Sequence, residues 1–246
     1  MAESVNLPAR VAHFENTLRS ALPDNSRGDL AELMQRWTAF LAEQTARLSD
    51  GRSEAGVVVQ HVQNALMAAR AINRAMISHG FSAGAQSEWQ AIRIELNRIA
   101  TAYGRPRIPD VALLTRVSPT KPLIDRPGIG MAMQKIEAAV DGLKGSTEGQ
   151  WSDVLGHIQR PVVQHWIDDL EHTTDAMLSD YKKKLVPDVY FGVEESLMIA
   201  SGLNPIMDNG SHGALAAKWR TLRRLLNRLA RTFAYPPLDV NAIPKR

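Results

Sequence analysis

His165, Asp168, Asp169 and His172, with Glu171 among them, are spaced by three and four residues, so on a helix they share one face. Imidazoles and carboxylates grouped in that way are what a metal site or an acid–base pair would require. The helical projection argues against such a site. Val163, Trp166, Leu170, Thr174 and Met177 point together toward a core, and the histidines and aspartates point nearly opposite, where water competes for every ligand. Metal or hydrolytic chemistry at His165, Asp169 and His172 is therefore the third of three readings.

A second constellation is made of cations. On a helix that includes Lys218, the apolar residues Trp219, Leu222, Leu226, Leu229, Ala230 and Phe233 form one stripe, and Arg220, Arg224, Arg228 and Arg231 form another facing away from it. Lys218 and Arg223 lie on the flanks. Guanidinium forks match phosphate and carboxylate oxygens, so this stripe suits a nucleic-acid backbone or an acidic protein surface. It equally suits intrachain pairing with the acidic stretch 147–200, whose ten carboxylates face Arg160, Lys182, Lys183 and Lys184 for a balance of −6. An anionic membrane is the weakest partner, because the apolar stripe is already needed for the core.

Other signatures are missing. There is no GxSxG elbow, P-loop or dinucleotide fingerprint, and Glu194 and Glu195 are adjacent, so they diverge on a helix. Absence of cysteine excludes disulfides, thiolate ligands and cysteine nucleophiles. No catalytic residue and no cofactor is implied. The most apolar run, Val57 to Ile77, is interrupted by His61, Arg70 and Arg74, which argues against a membrane span, and no signal-peptide pattern opens the chain. A cytoplasmic location is the default expectation. The net charge of +3 is uneven: residues 218–246 hold eight Lys or Arg against Asp239, a balance of +7, which leaves −4 for the rest.

The elements that position these groups occur twice. EWQAIRIELNRIATAY from Glu88 and KWRTLRRLLNRLARTF from Lys218 share Trp, Arg, Leu, Asn, Arg and Ala at six of sixteen positions, with an offset of 130. Unrelated segments of that length would share about one. Gln35, Trp37 and Leu41 match Gln164, Trp166 and Leu170, and Leu66, Met67, Ala69, Asn73 and Met76 match Leu197, Met198, Ala200, Asn204 and Met207. Phe14, Glu15 and Leu18 answer to Ile136, Glu137 and Val140. The arginine stripe is not part of this shared pattern: its counterparts are Gln90, Ile94, Arg98 and Thr101. Nor is the histidine–aspartate set, whose counterparts are Arg36, Ala39, Phe40 and Glu43.

Apolar periodicity predicts helices over about 8–22, from a Ser26–Asp29 capping box to Leu48, over 54–78, and along the Trp89 to Tyr103 seam. No stretch alternates as a strand would. In the second half, a break is expected at Pro161 with a main segment over 161–184, then a helix opening at Pro187 that Gly202 and Pro205 stop early, and a last helix over 214–233. Trp37, Trp89, Trp166 and Trp219 lie on apolar seams, so core packing is expected of them, and Asn73 and Asn204 lie within seams as hydrogen-bonding positions. Ile94 points outward.

The expectation is an all-α chain of two tandem, internally repeated helical bundles of about four helices each. The first unit covers 1–110, a proline-rich connection with apolar residues to pack covers 111–130, and the second unit with the basic C-terminal helix covers 131–246. The function expected is that of a non-enzymatic interaction or assembly protein meeting a protein partner, or another copy of itself, through charge-separated surfaces. The alternative is a nucleic-acid-binding protein that contacts phosphates through Arg220, Arg224, Arg228 and Arg231 without reading sequence.

Overall fold

The computed structural model describes residues 6–21, 28–50, 53–78, 81–109, 127–150, 159–210, 213–233 and 235–238. The Ser26–Asp29 capping box, most of the proline-rich connection and the tail beyond Leu238 lie outside these. The described residues form eight α-helices and no strand: α1 (Leu7–Ala21), α2 (Gly28–Ser49), α3 (Ala55–Ser78), α4 (Ala83–Ala102), α5 (Ile129–Gln150), α6 (Gln159–Lys182), α7 (Val186–Gly210) and α8 (Gly213–Thr232). The chain divides into two compact units, Met1–Leu113 and Leu114–Arg246, so the division falls inside the proline-rich stretch.

In the first unit α1 packs on α2 and α4, and α3 packs on α2 and α4, which makes a ring of four helices in chain order. Phe14 of α1 and Trp89 of α4 meet in its core at a ring separation of 5.4 Å. Asn6 begins α1 by accepting from the Ala9 amide at 3.3 Å, and Ser82 begins α4 by accepting from Ala85 at 3.3 Å. α4 ends in a Schellman turn: Gly104 adopts a positive φ of 62°, its amide reaches Thr101 O, and the Arg105 amide reaches Ala100 O at 2.7 Å.

Side chains hold the segment beyond α4 in place. The buried amide of Asn97 brackets Ile108, accepting from its N–H at 2.6 Å and donating to its carbonyl at 3.0 Å. Arg93 donates to Pro109 O at 2.9 Å, Asn73 donates to the same oxygen at 3.4 Å, and Arg70 donates to Pro106 O. Residues 105–109 therefore belong to the first bundle, the carbonyls of Pro106, Ile108 and Pro109 being satisfied by side chains of α3 and α4, although they form no helix.

The second unit closes the same kind of ring, α5 on α6 and α8, and α7 on α6 and α8. Hydrogen bonds recur at matching positions. Trp89 Nε1 donates to Asn73 Oδ1 at 2.9 Å, and Trp219 Nε1 to Asn204 Oδ1 at 3.2 Å. The Ile108 amide donates to Asn97 Oδ1, and the Leu238 amide to Asn227 Oδ1, each at 2.6 Å. Tyr235 N reaches Ala230 O at 2.8 Å as Arg105 N reaches Ala100 O. Phe14 and Leu18, and opposite them in sequence Ile136 and Val140, are all buried.

One sequence expectation about proline fails. α7 does not stop at Gly202 and Pro205 but continues to Gly210 with Pro205 inside it. An interior proline costs roughly 3 kcal/mol. Here burial of Leu203, Ile206 and Met207, and the Asn204 bond to Trp219, hold the helix past it. Pro161 sits in the first turn of α6, where a missing N–H leaves no intrahelical bond unmade, and the helix Gln159–Lys182 matches the segment expected over 161–184. α6 and α7 also approach closely, since a Cβ on Gly192 would lie 2.8 Å from Met177 Cβ.

His61, near the start of α3, is buried against the end of α2, its Nδ1–H donating to Gln44 Oε1 at 2.9 Å. Burial lowers its pKa, the Arg47 charge adds to that effect, and Glu43 opposes it. The unfolded imidazole takes a proton as pH falls past about 6.5 while the folded one still resists. Stability should therefore decline over the window below that value until the folded imidazole protonates too. In urea unfolding series from neutral to mildly acid pH, His61→Gln is expected to show a smaller decline than the parent chain; identical declines would contradict this. Asn97→Ala is expected to cost about 1–3 kcal/mol in the same measurement, because it strands the buried Ile108 N–H. Gly192→Ala should cost a similar amount, about 1–3 kcal/mol, through the clash with Met177.

Candidate polyanion-binding face

α8 carries no acidic residue. Its apolar stripe, Leu215, Trp219, Leu222, Leu226, Leu229 and Ala230, is buried against α5 and α7, and that burial fixes which way the rest of the helix faces. Arg220, Arg224, Arg228 and Arg231 are all exposed. Arg224 Nη2 donates to Thr221 Oγ1 at 3.2 Å, which lays that guanidinium along the helix surface. Among the described residues, none of the four makes an ion pair.

The two flanking cations behave differently. Lys218 reaches across to α5, donating to Gly142 O at 2.7 Å and to Ser146 Oγ at 2.5 Å. Arg223 reaches across to α7, pairing with Asp208 Oδ2 at 2.5 Å and donating to Asn204 Oδ1 at 3.3 Å. Of the six cations singled out in sequence, two therefore brace the helix on either side and four make up the open row. The Asn204 amide is shared by Trp219 and Arg223, so the brace is tied to the core bond that orients α8.

The acidic stretch does not close over the row within the described residues. Lys144 of α5 takes two of its carboxylates, Glu171 Oε2 at 2.5 Å and Asp168 Oδ1 at 3.4 Å. The hydrogen bond that Lys144 donates to Glu171 is the largest influence on it and, with Asp168, raises its pKa against the opposing effect of desolvation. Asp208 is engaged by Arg223.

The histidine–aspartate face is correspondingly less open than its helical projection implies. His165 and His172 are exposed, and His165 Nε2 stands 3.8 Å from Asp169 Oδ2. Asp168 instead leans toward Lys144 and accepts from Gln164 at 3.1 Å. No group of three His, Asp or Glu side chains among the described residues converges as a metal site would. Trp37, Trp89, Trp166 and Trp219 are all buried, and Ile94 is 43% exposed on the α4 face that corresponds to the arginine row.

Sequence reasoning missed a second set of cations. Arg70, Arg74 and Arg93 are buried in the first unit, and burial pushes the Arg70 guanidinium down to about 10. Arg70 donates to Leu66 O at 3.1 Å as well as to Pro106 O. The signal was present, since Arg70, Asn73 and Arg74 interrupt an apolar helix on its core side, but the chain segment that supplies their acceptors lies 36 residues away. Among the described residues, no helix is long and apolar enough to cross a membrane. Compared with protein-family models, with curated proteins and with solved structures, the chain matches none.

Proposed function

We propose that the chain is a non-enzymatic interaction protein built from two related four-helix units, which docks an anionic partner on the open arginine row of α8. The observation that carries this reading is the split among the cations of one helix: Lys218 and Arg223 are committed to the chain's own bundle, while Arg220, Arg224, Arg228 and Arg231 stand exposed with no ion pair among the described residues. An exposed row of four like charges on about 16 Å of helix raises its own electrostatic energy, and an approaching anion relieves it. The duplication is supported by the paired bonds of Trp89 with Asn73 and Trp219 with Asn204, and of Asn97 with Ile108 and Asn227 with Leu238. The matching helix of the first unit carries Gln90, Ile94, Arg98 and Thr101 in place of the row, so the bundle itself does not need the arginines.

The test uses two charge-matched variants. One replaces Arg220, Arg224, Arg228 and Arg231 with Gln; the other replaces Arg98, Lys182, Lys183 and Lys184, which are also exposed. Binding of labelled polyanions, poly-glutamate and duplex DNA among them, is expected for the parent chain and the second variant and to be lost in the first, with thermal melting unchanged. Equal loss in both variants, or no binding by the parent chain, would overturn the proposal.

A further inference from the structure

We infer that the partner seated on the α8 row is a nucleic-acid backbone, contacted through its phosphates without sequence readout; this rests on the docking reading above and narrows it. Three features favour phosphates over an acidic protein surface or a membrane.

The exposed side of α8 carries no apolar anchor. The large hydrophobic residues exposed among the described residues are Ile94, Tyr103, Met131 and Leu185, and none lies on α8. Protein interfaces draw most of their affinity from aromatic and aliphatic side chains at a desolvated centre and keep charge to the rim. Membrane-surface helices need an apolar face to insert, and the apolar face of α8 is buried in the bundle. Phosphate contacts need neither, because release of condensed counterions supplies the free energy.

The cations of the open row are all arginine. The planar fork presents paired donors to phosphate oxygens and is less strongly hydrated than an ammonium, so it gives up less on contact. The spacing is also suited. Steps of four and three residues set successive guanidinium groups about 6 Å and 4.5 Å apart along the axis. A duplex carries one phosphate charge per ~1.7 Å of its length, a density of anions that a row of closely spaced guanidinium groups matches without reference to base sequence.

The row is also held in place before a partner arrives. Lys218 and Arg223 tie α8 to α5 and α7 on its two sides, so its rotation is fixed. The complex then has only the arginine side chains to order.

Fluorescence anisotropy with short labelled duplexes of two unrelated sequences tests this. Both should bind equally, with a slope of log K against log salt of about −3.6, four contacts at about 0.9 each. That corresponds to a loss of about 150-fold between 50 and 200 mM salt. Each single Arg→Gln change at Arg220, Arg224, Arg228 or Arg231 should reduce the slope by about 0.9, and the quadruple variant should abolish binding. Poly-glutamate at equal charge concentration should bind at least about tenfold more weakly than DNA. Poly-glutamate or phosphatidylserine vesicles binding as tightly as DNA would overturn this inference while leaving the docking reading in place. Binding that strongly favours one duplex sequence would overturn it too. Absence of binding to every polyanion would remove both.

Discussion

A buried indole N–H is costly to leave without an acceptor, and for Trp89 and Trp219 that acceptor is an asparagine on the preceding helix. Asn73 accepts from Trp89, and Asn204 from Trp219. Each bond fixes the rotation of the last helix of its bundle, because a large aromatic ring and its one polar atom cannot both be satisfied at another angle. Once Trp219 is fixed, Leu222, Leu226 and Leu229 follow it into the core about one, two and three turns on, and the arginines between them are turned outward. The exposed row of α8 is thus a consequence of how a tryptophan is accommodated.

The two units show matching hydrogen bonds at Trp89 and Trp219 and at Asn97 and Asn227, and differ in what they do with positive charge. In the first, Arg70 and Arg93 are taken inside, where carbonyls of Leu66, Pro106 and Pro109 receive them. In the second, the residue matching Arg93 is Arg223, which reaches instead to the preceding helix, pairing with Asp208 and donating to Asn204. The additional arginines of α8 have no inward role. Guanidinium groups serve as internal struts in one bundle and as an outward-facing array in the other, and the difference follows from whether an acceptor lies within reach on the core side.

Much of this was legible in the sequence because it depends on local periodicity. The helix limits, the four tryptophans in seams, the asparagines within them and the outward Ile94 follow from the spacing of apolar residues along one element. What escaped depends on partners distant in sequence. The burial of Arg70 is understandable only once Pro106 is seen beside it, and the pull of Asp168 toward Lys144 only once α5 and α6 are packed. Pro205 defeats a local reading for the same reason: neighbouring residues alone would stop a helix there, and the tertiary burial of Ile206 and Met207 carries it on. The arginine row needed no such information, since an amphipathic helix places its own charges.

The bracket that Asn97 forms around Ile108, with Arg70 and Arg93 holding Pro106 and Pro109, bears on how the first bundle comes into being. Two of the acceptors for its internal cations, the carbonyls of Pro106 and Pro109, follow the last helix of the unit in sequence. The four helices precede this stretch in sequence, so the bonds of Asn73 and Arg93 to Pro109 O can form only once it has followed them. A first half cut short before Pro109 would therefore keep its four helices but strand the buried donors of Asn73 and Arg93 that this short non-helical stretch receives.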